Sequence, residues 1–176
     1  MKQLLVFIAG LACICSCNTA SEPATTTNTV DSAAMAKEAM LAKNKATALA
    51  SVQGFNSHNV DDILKDAAAI VTDYGDGSGK SMSNMDSLRA NLKAFITAFP
   101  DLKVETSVVL AEGNHVAIFE EWSGTFKADI MGMKATGKSF KLKDVDLLTF
   151  NDAGKITEHR SVQSNQTLFS QVMKKK

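Results

Sequence analysis

The chain has 176 residues, 45% of them hydrophobic, which predicts one domain with a core of ordinary size. Its 19 acidic and 19 basic side chains give no net charge. Proteins that bind nucleic acid need an excess of basic side chains to neutralise phosphates. The charge balance therefore excludes nucleic acid as an expected partner.

The first 17 residues are typical of an export signal. Lys2 supplies a positive charge, and Leu4 to Ile14 form an apolar run of about 11 residues, too short to span a bilayer as a helix. The next residues, Ile14-Cys15-Ser16-Cys17, resemble the lipobox of bacterial lipoproteins. The resemblance implies that Cys17 receives a lipid and that the protein is exported, contacting the cell envelope through its lipid anchor only.

Two other interpretations of this segment stay open. Cys13, which follows Gly10-Leu11-Ala12, is a second candidate for lipidation, and a cleaved soluble precursor with incidental cysteines is the third interpretation. All three cysteines lie within residues 13–17. Under the Cys17 assignment the folded part has no free thiol, which excludes disulfides, thiolate metal ligands and a cysteine nucleophile there.

The remaining residues divide into a tether and a domain. Residues 18–31 are rich in Ser, Thr, Ala and Pro, which predicts a flexible tether because so little apolar surface cannot offset the entropy of ordering. The domain is predicted over residues 32–176. Its first half predicts a helix from Asp31 or Ser32 to about Phe55, a short helix capped by Asn59, a strand over Ala68–Tyr74 and a helix from Ser83 or Asn84 to Pro100.

From Asp101 the hydrophobic period changes to two, which indicates strands. Four are predicted, over Leu102–Ala111, His115–Ile130, Lys138–Phe150 and Lys155–Ser164, followed by a last helix over Asn165–Met173. Helices first and a meandering antiparallel sheet afterwards predict an α+β domain whose helices cover one face of the sheet.

Nucleotide and metal sites find little support in the sequence. Gly132 to Ser139 matches the pattern G-x-x-x-x-G-K-S, but the residues that follow alternate like a strand, whereas a phosphate loop must lead into a helix. A hairpin turn is therefore expected there. The Gly-rich loop from Gly75 to Ser81 is interpreted as a mobile loop near a pocket mouth. The three histidines lack the helical spacing of a zinc site, so no metal and no cofactor is expected.

The last three strands carry an unusual set of side chains at even positions. Successive strand residues point to opposite faces, so even positions share one face. These positions combine apolar groups with carboxylates and an arginine: Ile118, Glu120, Trp122, Gly124, Phe126; Leu142, Asp144, Asp146, Leu148, Phe150; Ile156, Glu158, Arg160, Val162 and Ser164. Because unpaired buried charges are costly, the mixture predicts a pocket. The alternative is a partly solvated face with its charges at the rim, and a β-bulge would shift the parity.

Several short motifs extend the interpretation to a family. The segments Phe99-Pro100-Asp101-Leu102, Glu121-Trp122-Ser123-Gly124-Thr125, Ala135-Thr136-Gly137-Lys138, Phe150 to His159 and Leu168-x-x-Gln171 resemble the SnoaL-like polyketide (ester) cyclases of the nuclear transport factor 2 like superfamily. The resemblance runs from about Ala46 to Val172. It implies a cone-shaped, cystatin-like fold in which a curved sheet wraps around helices, a ligand pocket at the open end, and often a homodimer through the outer sheet face.

The sequence departs from that family at its catalytic positions. Where the cyclases have a pocket histidine and an acid/base aspartate, this chain has Phe126 and Ser164, and Arg160 replaces the tryptophan after Glu-His. A phenyl ring exchanges no proton, and serine without a base is a poor acid or base, so the cyclase mechanism does not carry over. His159, at an odd position, is interpreted as an outward-facing surface or interface residue.

These observations lead to three functional hypotheses. The first is a lipid-anchored domain that binds a small, partly apolar molecule, with Arg160 between Asp146 and Glu120 orienting a polar or carboxylate group. The second is an enzyme of altered chemistry, an isomerase, dehydratase or hydrolase, with Asp146 or Glu120 as general base. The third is a non-catalytic assembly module. The predicted pocket contains Tyr74, Glu120, Trp122, Phe126, Asp144, Asp146, Arg160 and Ser164.

Overall fold

The computed structural model describes residues 27–163 and 165–173, with side chains from Asp31 onward. The predicted signal peptide, Cys17 and Ser164 lie outside the described residues. The elements in chain order are α1 (Thr27–Gln53), a 3-10 turn (Gly54–Ser57), α2 (Val60–Leu64), β1 (Ala67–Asp73), α3 (Met85–Ala98), β2 (Lys103–Glu112), β3 (His115–Thr125), β4 (Ser139–Phe150), β5 (Ile156–Ser161) and α4 (Asn165–Met173).

The five strands form one sheet in the order β1-β5-β4-β3-β2. All neighbours are antiparallel except β1 and β5, which run parallel. The α+β class, with a mostly antiparallel sheet and an N-terminal helix, is confirmed. The parallel pair is a difference from the predicted meander, because hydrophobic periodicity identifies a strand but not its partner across about 85 intervening residues.

Local side chains fix several helix starts. The Asn59 side chain accepts a hydrogen bond from the Asp61 N–H at 2.9 Å, and the Asn84 side chain accepts one from the Ser87 N–H at 2.9 Å, which satisfies amides at the starts of α2 and α3. By contrast, α1 begins at Thr27, inside the segment predicted as tether. Its alanine-rich first half favours helix strongly enough to extend it upstream.

The core lies between the inner face of the sheet and the helices. Its centre is an aromatic cluster around Phe99, whose ring centroid is 5.1 to 5.4 Å from those of Phe95, Phe126 and Phe140. Gly124 on β3 makes room for this cluster, because a Cβ there would lie only 3.1 Å from the ring of Phe140. Phe95 belongs both to this cluster and to the wall of the large cavity described below.

Strand register decides which side chains face the helices. Strands β3 and β4 pair without interruption from His115↔Thr149 to Thr125↔Ser139, so the even positions of both strands point inward as predicted. Strands β4 and β5 pair Thr149 with Glu158 but Phe150 with Ile156, so Thr157 is an extra residue on β5. This β-bulge reverses the alternation that follows it. From Glu158 onward, odd positions of β5 point inward.

The outer face of the sheet and α1 carry several exposed apolar side chains. Val108, Leu110 and Phe119 are 41 to 53% exposed on neighbouring strands, and Met35 on α1 is 70% exposed. Within the described residues, no helix combines the length and the apolar character that crossing a membrane requires.

Candidate functional site

A cavity of about 720 Å³ opens between the inner sheet face, α3, α4 and two loops. Apolar and aromatic side chains form most of its walls, and polar groups converge on one side. The apolar lining includes Phe55, Leu92, Trp122 and Leu142, and the polar lining includes Asp73, Asp146 and His159. Its volume suits a drug-sized molecule, since ligand pockets are commonly about 300–1,000 Å³.

An imidazole held between two carboxylates forms the polar side of the cavity. His159 Nδ1 lies 2.8 Å from Asp73 Oδ1, and His159 Nε2 lies 3.2 Å from Asp146 Oδ1. We call these three residues the histidine clamp. The parallel pair Asp73↔His159 brings the first carboxylate into place, and β4 supplies the second. The bulge at Thr157 is what turns His159 toward them.

The geometry of the histidine clamp favours a charged imidazole. Burial disfavours the imidazolium, but the charges and hydrogen bonds of Asp146 and Asp73 outweigh it and raise the pKa of His159 well above its ordinary value. Burial also opposes ionisation of Asp73, yet the hydrogen bond and charge of His159 and the Gly75 N–H hold the pKa of Asp73 below its usual range. Both ring nitrogens of His159 therefore donate, one to each carboxylate.

Glu120 lies behind the cavity wall and carries a proton. The residue is 3% exposed, and its Oε1 accepts a hydrogen bond from Trp122 Nε1 at 2.5 Å. Its Oε2 has no N–H or O–H donor among the described residues. Burial first, and then the negative charge of Asp146, raise the pKa of Glu120 to about 9. Two neighbouring carboxylates repel each other when both are ionised, so one of the pair keeps its proton. Glu120 is therefore neutral at pH 7.

Two further aspartates at the cavity are occupied by internal hydrogen bonds. Asp144 accepts from the Ser161 hydroxyl at 2.5 Å and from the Gln163 N–H at 2.7 Å. Asp76 accepts from the Ser78 N–H at 2.9 Å and from the Asn165 N–H at 2.9 Å, which ties the Gly-rich loop to the first residue of α4. Both carboxylates shape the cavity mouth. Asp146 also lines the cavity, where its Oδ1 lies 3.2 Å from His159 Nε2.

The structure brings four of the eight predicted pocket residues to the cavity: Tyr74, Trp122, Asp144 and Asp146. Glu120 lies one layer behind Trp122. The Phe126 ring points inward but is fully buried in the aromatic cluster, stacked on Phe99, so it presents no surface to the cavity. The prediction that Phe126 lines the cavity is therefore wrong.

The predicted placements of Arg160 and His159 are both wrong, for one reason. The bulge at Thr157 exchanges the two faces of β5, so Arg160 pairs with the outward Leu147 while His159 pairs with the inward Leu148. Arg160 is exposed, and its guanidinium lies 3.7 Å from the centre of the Tyr74 ring. Sequence reasoning also missed Asp73, which only the pairing of β1 with β5 brings to the site.

The chain resembles known proteins in both sequence and fold. The family model of the SnoaL-like polyketide cyclases matches residues 45–172. The chain belongs to this family. Among curated proteins, none matches the chain.

Solved structures of SnoaL-like and related proteins share the fold. AclR of Streptomyces galilaeus, a proposed hydroxylase, is 27% identical with a TM-score of 0.65, covering 77% of this chain and 88% of that one. A proposed SnoaL-like polyketide cyclase from Jannaschia sp. CCS1 is 18% identical with a TM-score of 0.68, covering 78% and 96%. A protein of ketosteroid isomerase-like fold from Catenulispora acidiphila, solved with trimethylamine, is 16% identical with a TM-score of 0.61, covering 72% and 92%.

The cavity lies between the helices and the sheet. Among residues 27–163 and 165–173, no group of three or more histidine, cysteine, aspartate or glutamate side chains is arranged to hold a metal ion.

The proton on Glu120 is testable by fluorescence, because Trp122 is the only tryptophan in the chain. Ionisation of Glu120 places a negative charge at the indole N–H. We expect a change in Trp122 emission with a midpoint at about pH 9 in the wild-type protein, and no such transition in Glu120→Gln. Glu121→Gln, on the outer face of the same strand, is the control and should keep the transition. A wild-type emission that stays constant from pH 7 to 10 would contradict a protonated Glu120.

The same proton makes stability depend on pH. A glutamate whose pKa is about 9 when folded and 4.5 when unfolded binds more proton in the folded state between these values, so stability falls as pH rises through that window. Glutamine does not ionise, so the Glu120→Gln variant does not lose this part of its stability as pH rises. The free energy of unfolding of the variant relative to wild type should therefore rise from pH 5 to 9, by at most ~1.4 kcal/mol per unit.

His159 acts in the same direction but cancels in this comparison. Its raised pKa means that its stabilisation is complete below about pH 6.5 and is lost as pH rises through the folded value. Both proteins contain His159, so chemical denaturation at several pH values isolates Glu120. A difference between variant and wild type that is flat across the window would show that Glu120 ionises normally.

Proposed function

We propose that this SnoaL-like domain binds a small, partly apolar molecule that carries a neutral or cationic polar group. The observation that supports this proposal is the cavity of about 720 Å³, whose apolar walls meet one charged cluster around Asp146. Apolar surface provides affinity and a few fixed polar groups provide orientation in such sites. Here Asp146 accepts a hydrogen bond from the ligand while His159 keeps its carboxylate in position.

The charge of the cluster selects the polar group. Asp73 and Asp146 contribute two negative charges, His159 contributes one positive charge, and Glu120 is neutral, so one negative charge is left over. A hydroxyl or an ammonium group donates to this carboxylate, whereas a ligand carboxylate meets like charge. Arg160 does not line the cavity, so it cannot orient a ligand carboxylate there.

A second candidate function is acid–base catalysis at the same site. Asp146 lines the cavity and is 8% exposed at its side chain, which suits a general base for isomerisation, dehydration or hydrolysis. Glu120 does not suit this role, because it is behind Trp122 and already protonated. The imidazolium of His159 would hold the Asp146 oxygen in place during proton transfer.

The cellular setting is proposed from the sequence alone. With Cys17 as the lipidated residue, the domain would be exported and anchored to the cell envelope, with the exposed first half of α1 as a spacer. The ligand would then be met at the envelope. The homodimer and the assembly module stay predictions. Their support is the exposed apolar group of Val108, Leu110 and Phe119 on the outer sheet face.

The preference of the site for a neutral or cationic polar group over a carboxylate is tested with three probes that share one ring system: 2-naphthylmethanol, 2-naphthylmethylamine and 2-naphthoate. We expect the alcohol and the amine to bind the wild-type protein at least about ten-fold more tightly than the carboxylate, measured by calorimetry at pH 7. Asp146→Asn should shrink this preference, whereas Asp152→Asn, in an exposed turn, should leave it unchanged. Equal or tighter binding of 2-naphthoate by the wild-type protein would contradict the proposal.

A further inference from the structure

A second, smaller cavity borders the histidine clamp. It has a volume of about 80 Å³ and lies among α1, α2, α3 and the inner face of β1, β4 and β5. Five of its lining side chains also line the large cavity: Phe55, Asp73, Leu92, Asp146 and His159. The clamp therefore belongs to the boundary between the two spaces. We call the smaller one the side chamber.

The side chamber is apolar apart from the clamp. Buried aliphatic side chains form most of its lining, among them Val52, Ile63, Val71 and Leu88. Its one hydroxyl, that of Ser51, donates to the Ile63 carbonyl at 2.7 Å. The ring nitrogens of His159 are bonded to Asp73 and Asp146. Water needs two to four polar partners to stay in such a space, so an aliphatic group is the better occupant.

We propose that the side chamber is a subsite for a short alkyl branch of the ligand, attached next to the polar group that Asp146 binds. The proposal rests on the proposed function and adds a substrate class to it: a ring system carrying a secondary alcohol or amine with a short aliphatic arm. The ring occupies the large cavity, the donor group reaches Asp146, and the arm passes Phe55 and Leu92 into the side chamber.

The position of the clamp explains why the branch and the polar group must be neighbours. Asp146 and His159 line both spaces, so a group bonded to Asp146 stands at the junction between them. A carbon that carries this group can direct one substituent into each space. Each methylene buried in the side chamber contributes about 0.8 kcal/mol, which corresponds to about a four-fold gain in affinity.

The test uses the full chain and a series of alcohols with a growing arm. The probes are 2-naphthylmethanol, which has no arm, and the separate enantiomers of 1-(2-naphthyl)ethanol, 1-(2-naphthyl)propanol and 1-(2-naphthyl)butanol. For one enantiomer we expect the dissociation constant to fall about four-fold with each added carbon until the chamber is full. Calorimetry at pH 7 measures each constant.

Two variants of the side chamber and one control distinguish binding of the arm in the side chamber from general hydrophobic binding. Ala67 lines the chamber, so Ala67→Leu fills part of it and should abolish the gain from longer arms while leaving 2-naphthylmethanol unaffected. Ala69→Leu, at an exposed position of the same strand, should keep the wild-type series. Should Ala67→Leu fail to fold, Leu88→Ala decides, since the enlarged chamber should move the best arm to a longer length.

The outcomes separate the subsite from the proposed function. If 2-naphthylmethanol binds and longer arms bring no gain, or if Ala67→Leu keeps the gain, the subsite is refuted and the proposed function stands. If none of the alcohols binds, the proposed function is refuted and the subsite with it. An arm-length gain in wild type and Ala69→Leu that is lost in Ala67→Leu supports both.

Discussion

The contact of His159 with Asp73 and Asp146 is the interaction on which this domain's site depends. It joins β1, β4 and β5 at the point where the only parallel strand pair of the described sheet ends. Removing His159 would leave Asp73 and Asp146 without the positive charge that they share, and two like charges with little solvent contact destabilise the fold. The His159 imidazole therefore connects the edge strand β1 to β4, forms part of the cavity wall and contributes the positive charge of the site.

The charge of the clamp also decides the state of its neighbours. Asp146 stands close to Glu120 in a space with little water, and the burial of Glu120 together with the negative charge of Asp146 keeps the proton on Glu120. Trp122 connects this proton to the cavity, because its indole N–H binds Glu120 while its ring lines the wall. The polar groups at the cavity thus form one coupled set, and a ligand at Asp146 acts on all of them.

How much of this the sequence predicts depends on how far apart the interacting residues are. Helix caps at Asn59 and Asn84 and the alternation on β3 and β4 are local, and both were predicted correctly, as were the α+β class and the family. The bulge at Thr157 leaves no mark in the composition of β5, so the parity count placed Arg160 inside and His159 outside.

The contact between Asp73 and His159 could not be predicted from the sequence, for a different reason. It needs a strand from the start of the domain to align in parallel with the last strand, and no periodicity encodes such a partner. The prediction for Phe126 was wrong because the ring of Phe99, from another element, stacks on it and separates it from the cavity. The sequence therefore predicted the region of the site and two of its lining residues, Trp122 and Asp146. It did not predict the contact between Asp73 and His159 at the centre of the site.

The protonation of His159 tests the account most directly. In protein labelled with ¹⁵N-histidine, long-range proton–nitrogen spectra distinguish a charged ring from either neutral tautomer, and His159→Gln identifies the resonances. We predict that both nitrogens of His159 carry protons at pH 7, and that Asp73→Asn lowers the pH at which the charged form is lost. A His159 ring with one unprotonated nitrogen at pH 7, titrating near the ordinary value of about 6.5, would contradict the account.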